Sequence, residues 1–586
     1  MRLIPRLVVV LVTFAATLPL AAKVAYIGEV IIPGNGTDLS GLPSTILEDG
    51  VSPLNALTGI GSGLAYAGGN VYYGLGDRGP NKVVFSGGSA VDNTLSYPNR
   101  FQKFTIDLTP VGPLQADGTY ASYTVRANLI GTTLLKNSQG SQYLGLSTGF
   151  STNPAVANRR LDSEAIRVAP DGTFWISDEY GPYLLHFDQQ GREIGSLPLP
   201  TGWQVTNPGA TAAIEGANNT TGRTTNRGME GLALSPDGTV LVGMMQSALI
   251  QDGGLTGLNT RIVVYDLTNP AATPRQYVYQ LDSVATPISE LLAINSHEFL
   301  VDERDGVVGA AGIKKLYKFD LNQTPAPTNL VGTAYAGTTA TNGLPATSLP
   351  AGVVALKKTL FADIGQILNA VKPSIFSNVN GTDGLPDKIE GYAWGPDLPD
   401  GRHLLIATND NDYSRQGIAG FPNYIWAFAV DPSDVPGFQP QLTASSNLSA
   451  PVRTVNFSCR VNVGAGASSA VVGFVVAGAP GVTEQILIRA AGPSLAQFGV
   501  AGPLTQPVLT VFDAKGAALA TNTAWSTSTS AADISAAGSA VGAFALGATN
   551  ADSAVLLNLA PGAYTAQVTG ANNTAGIALV EVYEVP

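Results

Sequence analysis

From Lys23 to about Val435 the chain is written as short apolar runs separated by Gly, Asn, Asp and Pro turn signals, the pattern of an all-β protein. Two hairpins are explicit. Pro170-Asp171-Gly172 lies between apolar runs at Ala165–Val168 and Thr173–Ile176, and Pro236-Asp237-Gly238 between Gly231–Leu234 and Val240–Met244. Asp-Gly flanked by two such runs is a strong local hairpin signal. One departure from the β pattern predicts a surface helix: Leu356, Leu360, Ile364, Ile367, Leu368 and Val371 share a face at helical spacing. Turn-rich stretches at Pro33–Gly59, Ser86–Pro98 and Gln323–Pro350 read as loops.

A repeat runs through this pattern. Five segments share a small or acidic residue, an apolar strand and, further on, a polar cluster. They are Ser62-Gly63-Leu64-Ala65 with Asp77-Arg78-Gly79-Pro80-Asn81, Ser163-Glu164-Ala165-Ile166 with Ser177-Asp178-Glu179-Tyr180-Gly181-Pro182, and Met229-Glu230-Gly231-Leu232-Ala233 with Gln246. The other two are Ser289-Glu290-Leu291-Leu292 with Asp302-Glu303-Arg304-Asp305, and Ile389-Glu390-Gly391-Tyr392 with Asn409-Asp410-Asn411-Asp412. Repeated four-stranded units around an axis make a β-propeller. The spacing between segments is wider than the roughly 40–50 residues of compact blades, so long insertions or blades without the motif are expected. Six blades is the first expectation, with five or seven as alternatives.

The composition then changes. From Thr443 to Pro586 there are only four Lys or Arg and six Asp or Glu, and Ala, Gly, Val, Ser and Thr dominate. Strand-like runs at Ala470–Ala477, Gln485–Arg489, Val508–Phe512, Ala554–Leu559, Tyr564–Val568 and Gly576–Tyr583 predict a β-sandwich. The expected layout is a signal peptide over 1–22, a propeller over 23–440, a linker over 441–452 and an accessory β-sandwich over 453–586. The signal reading rests on Arg2 and Arg6 before the apolar run Leu7–Leu18 and on Leu20-Ala21-Ala22 as a cleavage site. An uncleaved anchor is the alternative, but the run is shorter than the roughly 20 residues a span needs. The expected address is secreted or periplasmic, in bacterial style, with no transmembrane segment once the signal is removed.

Charge narrows the function. Charged residues are 13% of the 586, about half the roughly 25% of an average soluble domain. The net charge of −12 comes without any basic patch, which disfavours nucleic acid as a partner. A single cysteine, Cys459, rules out an intramolecular disulfide and a Cys-based zinc site, and it reads as a small buried hydrophobe of the C-terminal module. The three histidines, His186, His297 and His403, are too far apart for HExxH-type motifs. Gly145-Leu146-Ser147-Thr148-Gly149 matches G-x-S-x-G, yet Asn153-Pro154 follows where a nucleophile elbow needs a helix, so it reads as a loop. Carboxylates, amides and arginines are left to carry the chemistry.

In a propeller the innermost strands line one channel. Glu164, Glu230, Glu290 and Glu390 would then face a common axis, where four carboxylates repel unless a cation joins them. An all-oxygen shell completed by Asn409 and Asp410 suits calcium better than zinc. The alternative for each Glu is a salt bridge that fixes one blade to the next. Asp178 is the favoured ligand or base at the end of the following strand, with Glu179 close behind. Arg78 and Arg304 offer planar forks to a phosphate or carboxylate, or else pin a loop to a neighbouring Asp. Lys388 and Arg227 are weaker candidates of the same kind.

Taken in order, Asp162-Ser163-Glu164-Ala165-Ile166, Trp175-Ile176-Ser177-Asp178-Glu179-Tyr180-Gly181-Pro182, Asn226-Arg227-Gly228-Met229-Glu230-Gly231-Leu232-Ala233 and Asp387-Lys388-Ile389-Glu390-Gly391 resemble the "esterase-like activity of phytase" family of secreted propeller proteins. Asp77-Arg78-Gly79-Pro80-Asn81 and Asp302-Glu303-Arg304 fit the same pattern, and the resemblance covers about residues 55–430. It implies hydrolysis of phosphate or carboxylic esters and a link to calcium-using propeller phytases, whose Asp-rich strand motifs are not found here. The Arg-His-Gly motif of histidine acid phosphatases is also absent. The C-terminal region, through Ile486-Leu487-Ile488-Arg489-Ala490-Ala491-Gly492-Pro493-Ser494-Leu495, resembles a β-rich module at the ends of secreted bacterial proteins. Cell-surface or glycan contact, or export support, is its expected job. The resulting expectation is a calcium-assisted hydrolase of a small ester or phosphoester. A non-catalytic calcium-stabilised binding propeller and a calcium-dependent lactonase are the alternatives.

Overall fold

The computed structural model describes residues 24–585 apart from 87–88, 151–157, 182, 310, 372–384, 414–421, 444–455, 466–467 and 477–482. The signal reading over 1–22, Asn153-Pro154, Pro182 and most of the 441–452 linker fall outside the described residues. The chain is all-β and divides into two compact units, Met1–Ser449 and Ala450–Pro586.

The first unit holds five four-stranded antiparallel sheets among the described residues. Sheet one is Gly63–Gly68, Val71–Leu75, Arg100–Val111 and Ser122–Leu134; sheet two is Ser163–Val168, Phe174–Asp178, Tyr183–Phe187 and Glu193–Ser196. Sheet three is Met229–Leu234, Val240–Met245, Asn259–Asp266 and Arg275–Gln280; sheet four is Ile288–Ala293, Glu298–Arg304, Lys314–Asp320 and Lys358–Asp363. Sheet five runs Ile389–Trp394, His403–Asn409 and Asn423–Val430, and its fourth strand is Val24–Ile32 from the other end of the unit. The first strands of consecutive sheets touch one another, and the last touches the first, so the ring closes. This is a radial, propeller-like arrangement.

Each of the five sequence repeats supplies the first two strands of one sheet. Six blades came first in the sequence reading, and the described residues hold five such sheets. The excess length between repeats goes into the hairpin Asn81–Ser86 and Ser89–Thr94 and into connections such as 197–228 and 321–357. The two Asp-Gly turns form as read: Gly172 and Gly238 take φ of 83° and 74°, which a glycine adopts without steric cost, while Asp171 and Asp237 accept from the N–H of Thr173 and Thr239. The helix is shorter than its periodicity suggests. Lys358–Asp363 is a strand, because the edge of Lys314–Asp320 offers it a ladder of hydrogen bonds, and only Ile364–Val371 is helical. Leu356 and Leu360 therefore lie outside it.

The inner strands of sheets two to five are buried along their whole length. Arg167 crosses the axis between them. Its guanidinium donates to the carbonyls of Leu64 in sheet one and Leu291 in sheet four, and pairs with Glu290 at 2.7 Å. Below this plug the segment 435–443 closes the far end of the ring against all five sheets. Gln441 donates to Tyr66 and Val168 carbonyls, Leu442 N–H to Pro236, and Gln439 N–H to Ile294, while Phe438 packs edge-on to Trp394.

The second unit pairs Asn456–Val463, Gly576–Glu584, Glu484–Ala491 and Ser553–Leu559 in one sheet, and Ala470–Val476, Gly562–Gly570, Pro507–Asp513 and Ala518–Asn522 in another. Ile488 and Val580 from the first meet Val511 and Val568 from the second in one core. Cys459, read as buried, is half-buried because it lies on the edge strand Asn456–Val463.

Candidate functional site

Above the Arg167 plug, the starts of the inner strands and the ends of their hairpin partners converge on one polar chamber. Sheet two supplies its acids. Asp162 immediately precedes the inner strand, Glu164 is its second residue, and Glu179 follows the end of Phe174–Asp178. All three are buried, and each offers an oxygen within 4.8 Å of the others. Burial pushes the Glu179 carboxyl up to about 8, with the Asp162 charge adding to it and Arg78 opposing it. Burial, then Glu230 and Asp162, hold Glu164 well above the usual carboxylate range. Among the described residues no cation is within ion-pair distance of Glu164 or Glu230, and Glu179 Oε1 and Glu230 Oε2 are buried without a partner. Groups of this kind cost free energy unless something satisfies them.

Arg78 holds this cluster in shape. Its Nη1 lies 2.5 Å from Asp162 Oδ2 and 3.6 Å from Glu179 Oε2, and it also donates to Asn226 Oδ1. Asn226 reaches it from a left-handed backbone, φ 55°, a conformation that non-glycine residues adopt sparingly and often at functional positions. Gly228, two residues on, lies so close to the Glu179 carbonyl that a Cβ would stand 2.1 Å from its oxygen. Only glycine permits this approach.

The other side of the chamber is paired. Arg304 donates to Glu390 Oε1 and, at 2.8 Å, to Ser289 Oγ. Lys388 bridges Asp410 and Asp412. Burial pushes Glu390 up to about 7 against the pull of Arg304, whereas Asp410, though burial pushes it up, stays below its ordinary value because Lys388, the Asp412 N–H and Arg304 together pull it down. Arg227 donates to the neutral amide oxygen of Gln246 at 2.7 Å.

The candidates read from the sequence thus have different settings. Glu164, Glu179, Arg78 and Glu230 surround one space. Glu290 lies lower, on Arg167, and Glu390 is taken up by Arg304. Asn409 spends its side chain on backbone groups, accepting from Tyr424 N–H and donating to Pro422 O. Asp178, favoured over Glu179, accepts three backbone N–H groups, from Asp162, Tyr180 and Gly181. The strand ends at Asp178, so its carboxylate caps the turn while Glu179 turns into the chamber. The sequence reading passed over Asp162 and Arg167 as site residues. Asp162 lies one residue outside the apolar run, and Arg167 is a lone charge inside one, which is itself a signal that a partner is needed.

The histidines lie elsewhere: His186 stacks on Trp175, His297 pairs with Asp320, and His403 bonds Asp397. Gly145–Gly149 forms no strand-to-helix elbow, and Ser147 Oγ donates to Ala210 O.

Several proteins share features with this chain. An uncharacterized secreted protein of Arthroderma benhamiae is 28% identical over 344 residues, covering 49% of this chain and 64% of that protein. This chain thus spans under two thirds of that relative's length, and a fungal relative lends nothing to the bacterial address. Among solved structures, an exo-β-1,3-galactanase from Phanerochaete chrysosporium is 10% identical, covering 95% of this chain and 100% of that one, at a TM-score of 0.27. A gluconolactonase from Xanthomonas campestris is 10% identical, covering 70% and 98%, at 0.25. Superpositions this loose carry nothing about chemistry. Within the described residues no helix is long and apolar enough to cross a membrane. Residues 55–413, which contain all five inner strands, match the profile of the Phytase-like family, described as esterase-like activity of phytase, and the chain belongs to that family.

Proposed function

We propose that the first unit is a five-bladed propeller that hydrolyses esters with the help of a divalent cation held by Asp162, Glu164 and Glu179. The observation that carries this reading is the convergence of three buried carboxylates within 4.8 Å, with, among the described residues, no cation on Glu164 and an unpartnered oxygen on Glu179. Hard oxygen donors without Cys or His suit calcium. Bound there, calcium would supply Lewis-acid polarisation of the ester carbonyl and a lowered pKa for water.

The protein's own groups divide the remaining work. Arg78 fixes the separation of Asp162 and Glu179. Glu230, held well above the usual carboxylate range by burial and by the Glu179 and Glu390 charges, is placed to take and return the proton of an attacking water. Arg227, which donates to an amide rather than a carboxylate, is the guanidinium with capacity for the developing oxyanion or the carboxylate product. Arg78, Arg304 and Lys388 already carry carboxylates, so a polyphosphate would enter a chamber with a surplus of negative charge. This favours carboxylic esters, lactones included, over phytate.

The second unit is read as an accessory β-sandwich, and the protein as secreted, in keeping with the secreted relative. The test is hydrolysis of an aryl acetate, a lactone, an aryl phosphate and phytate by purified protein. EDTA should abolish turnover of the uncharged esters and calcium restore it. Undiminished turnover by a metal-free Glu164→Gln, Glu179→Gln double variant sinks the proposal, and calcium-dependent thermal stability without turnover of any substrate favours a binding propeller.

A further inference from the structure

The second unit has a cleft of its own. Side chains alternate along Glu484–Ala491, so Ile486, Ile488 and Ala490 enter the sandwich core while Leu487 and Arg489 point to the opposite face of the sheet. The helix Ala531–Ala540 covers that face through Ile534 and Ala537, joined by Ala543 and Leu546 of the segment that follows. Over Arg489 the cover is incomplete. A cleft of about 400 Å³, open to solvent, remains there, lined by Arg489, Trp525, Gly538, Phe544 and Leu546, with Ser535 and Ser539 at its exposed rim.

Arg489 is 2% exposed, yet its donors outnumber their acceptors. It stands opposite Glu581 in the register and pairs with it at 2.9 Å, and its Nη1 donates to the Phe544 carbonyl at 2.8 Å. A guanidinium has five N–H groups, and among the described residues only these two partners meet them. Nη1 keeps a second N–H and faces Gly538: a Cβ on that glycine would, outside its own helix, meet Nη1 alone, at 3.8 Å. That is an ordinary contact on helical backbone, so neither packing nor conformation demands glycine, which is among the poorest residues for a helix. What the glycine supplies is space above the guanidinium. The walls of this space are already fixed. Trp525 Nε1 donates to Gly547 O, Gly547 N–H donates to Ser494 Oγ, and Phe544 packs edge-on to Phe498 at 5.0 Å.

The chemistry of the cleft selects its occupant. Glu581 balances the charge of Arg489, and no other charged residue lines the cleft, so an anion gains little there. A wholly apolar molecule would seal the Nη1 N–H away from water. A neutral polyol with one carbon face suits both surfaces: its C–H groups cover Trp525 and Phe544, and its hydroxyls accept from Nη1 and bond the serines of the rim. We propose that this cleft binds a single neutral sugar ring, the end or branch of a glycan, which gives the second unit a binding function independent of any chemistry in the chamber.

The experiment measures binding to the full chain by saturation-transfer NMR, with the methyl β-glycosides of glucose, galactose and N-acetylglucosamine as probes and with glucuronate and inorganic phosphate as charged competitors. At least one neutral glycoside should bind with half-saturation at about 1 mM, the range open to a ligand of this size, and neither charged competitor should displace it. Gly538→Leu fills the space over Nη1, and Ala545→Trp, at an exposed position of the lining, blocks the mouth. Each should weaken binding roughly tenfold or more, and Ala545→Trp reads the cleft even if Gly538→Leu folds poorly. Glu164→Gln should leave sugar binding unchanged, which separates the cleft from the chamber. The proposal is overturned if none of the glycosides binds, if binding survives undiminished in Ala545→Trp, if Glu164→Gln removes it, or if glucuronate or phosphate displaces the sugar.

Discussion

Glu164, Glu230 and Glu390 occupy the same position of the repeat, the second residue of an inner strand, with Glu290 one residue further along its own strand, yet Glu164 and Glu230 on one side and Glu290 and Glu390 on the other live in opposite surroundings. Glu290 and Glu390 each carry a guanidinium, from Arg167 and Arg304. Among the described residues Glu164 and Glu230 have no guanidinium at ion-pair distance, and Glu164 has two further carboxylates beside it. A repeat places a side chain but does not decide its chemistry, which is set by what the neighbouring sheets bring. On one side of the ring they bring cations and the acid becomes a strut. On the other they bring more acids, leaving electrostatic work that a ligand can do.

The largest test of this contrast is Glu164→Gln. It should remove the metal requirement together with the activity, lowering ester turnover by roughly a hundredfold or more, while the folded protein loses its calcium-dependent rise in melting temperature. Glu390→Gln should leave bound metal unchanged, as measured by metal analysis of the purified protein. If both substitutions strip the metal equally, the two sides are not different.

Arg304→Ala comes next. It strands Glu390 in the interior, and breaking a buried pair in this way costs about 3–5 kcal/mol, to be read by denaturant unfolding. Adding Glu390→Gln should restore much of the loss, because the stranded charge is then gone.

The third test uses pH. Glu179 is raised to about 8, and Asp178, Glu290 and Glu390 to about 7, each chiefly by burial. In the unfolded chain these groups titrate near about 4. Between those values the folded protein binds more protons than the unfolded one, so stability falls as pH rises from about 4 through about 8. Metal-free protein should therefore melt at a lower temperature at pH 8 than at pH 5. Calcium should flatten this slope, since the cation takes the place of protons at Glu164 and Glu179.

The smallest expected effect is from removal of the second unit. A chain ending at residue 443 should hydrolyse esters within about twofold of the full chain, because every group of the chamber belongs to the first unit. A larger drop in kcat would show that the comparison has to include the other half of the molecule.

Much of this was readable in the residues. The five repeats and the Asp-Gly hairpins mark the first two strands of each sheet, since short continuous apolar runs and turn chemistry are local properties. Glu164, Glu230 and Arg78 could be nominated because they recur or stand beside turns. The segment 435–443 was read partly as propeller and partly as linker, because its order comes from the Tyr66, Val168, Pro236 and Ile294 carbonyls and the Trp394 ring, one or more from each sheet, and not from any periodicity of its own. The ranking of Asp178 above Glu179 turned on where one strand stops, and a one-residue question of that kind is settled by backbone hydrogen bonds. Lys358–Asp363 shows the same limit, since an available sheet edge overrode a helical pattern.

Pairing Val24–Ile32 with Asn423–Val430 makes the ring a clasp whose first half is synthesised well before its second. An early strand has to stay unpaired until a late one arrives, and loop closure over so long a stretch is slow to reward. Until then the strand's edge stays open, exposed to other partners. A chain interrupted before Val430 would carry that open edge permanently, so quality control of this protein has a natural signal in whether the clasp has shut.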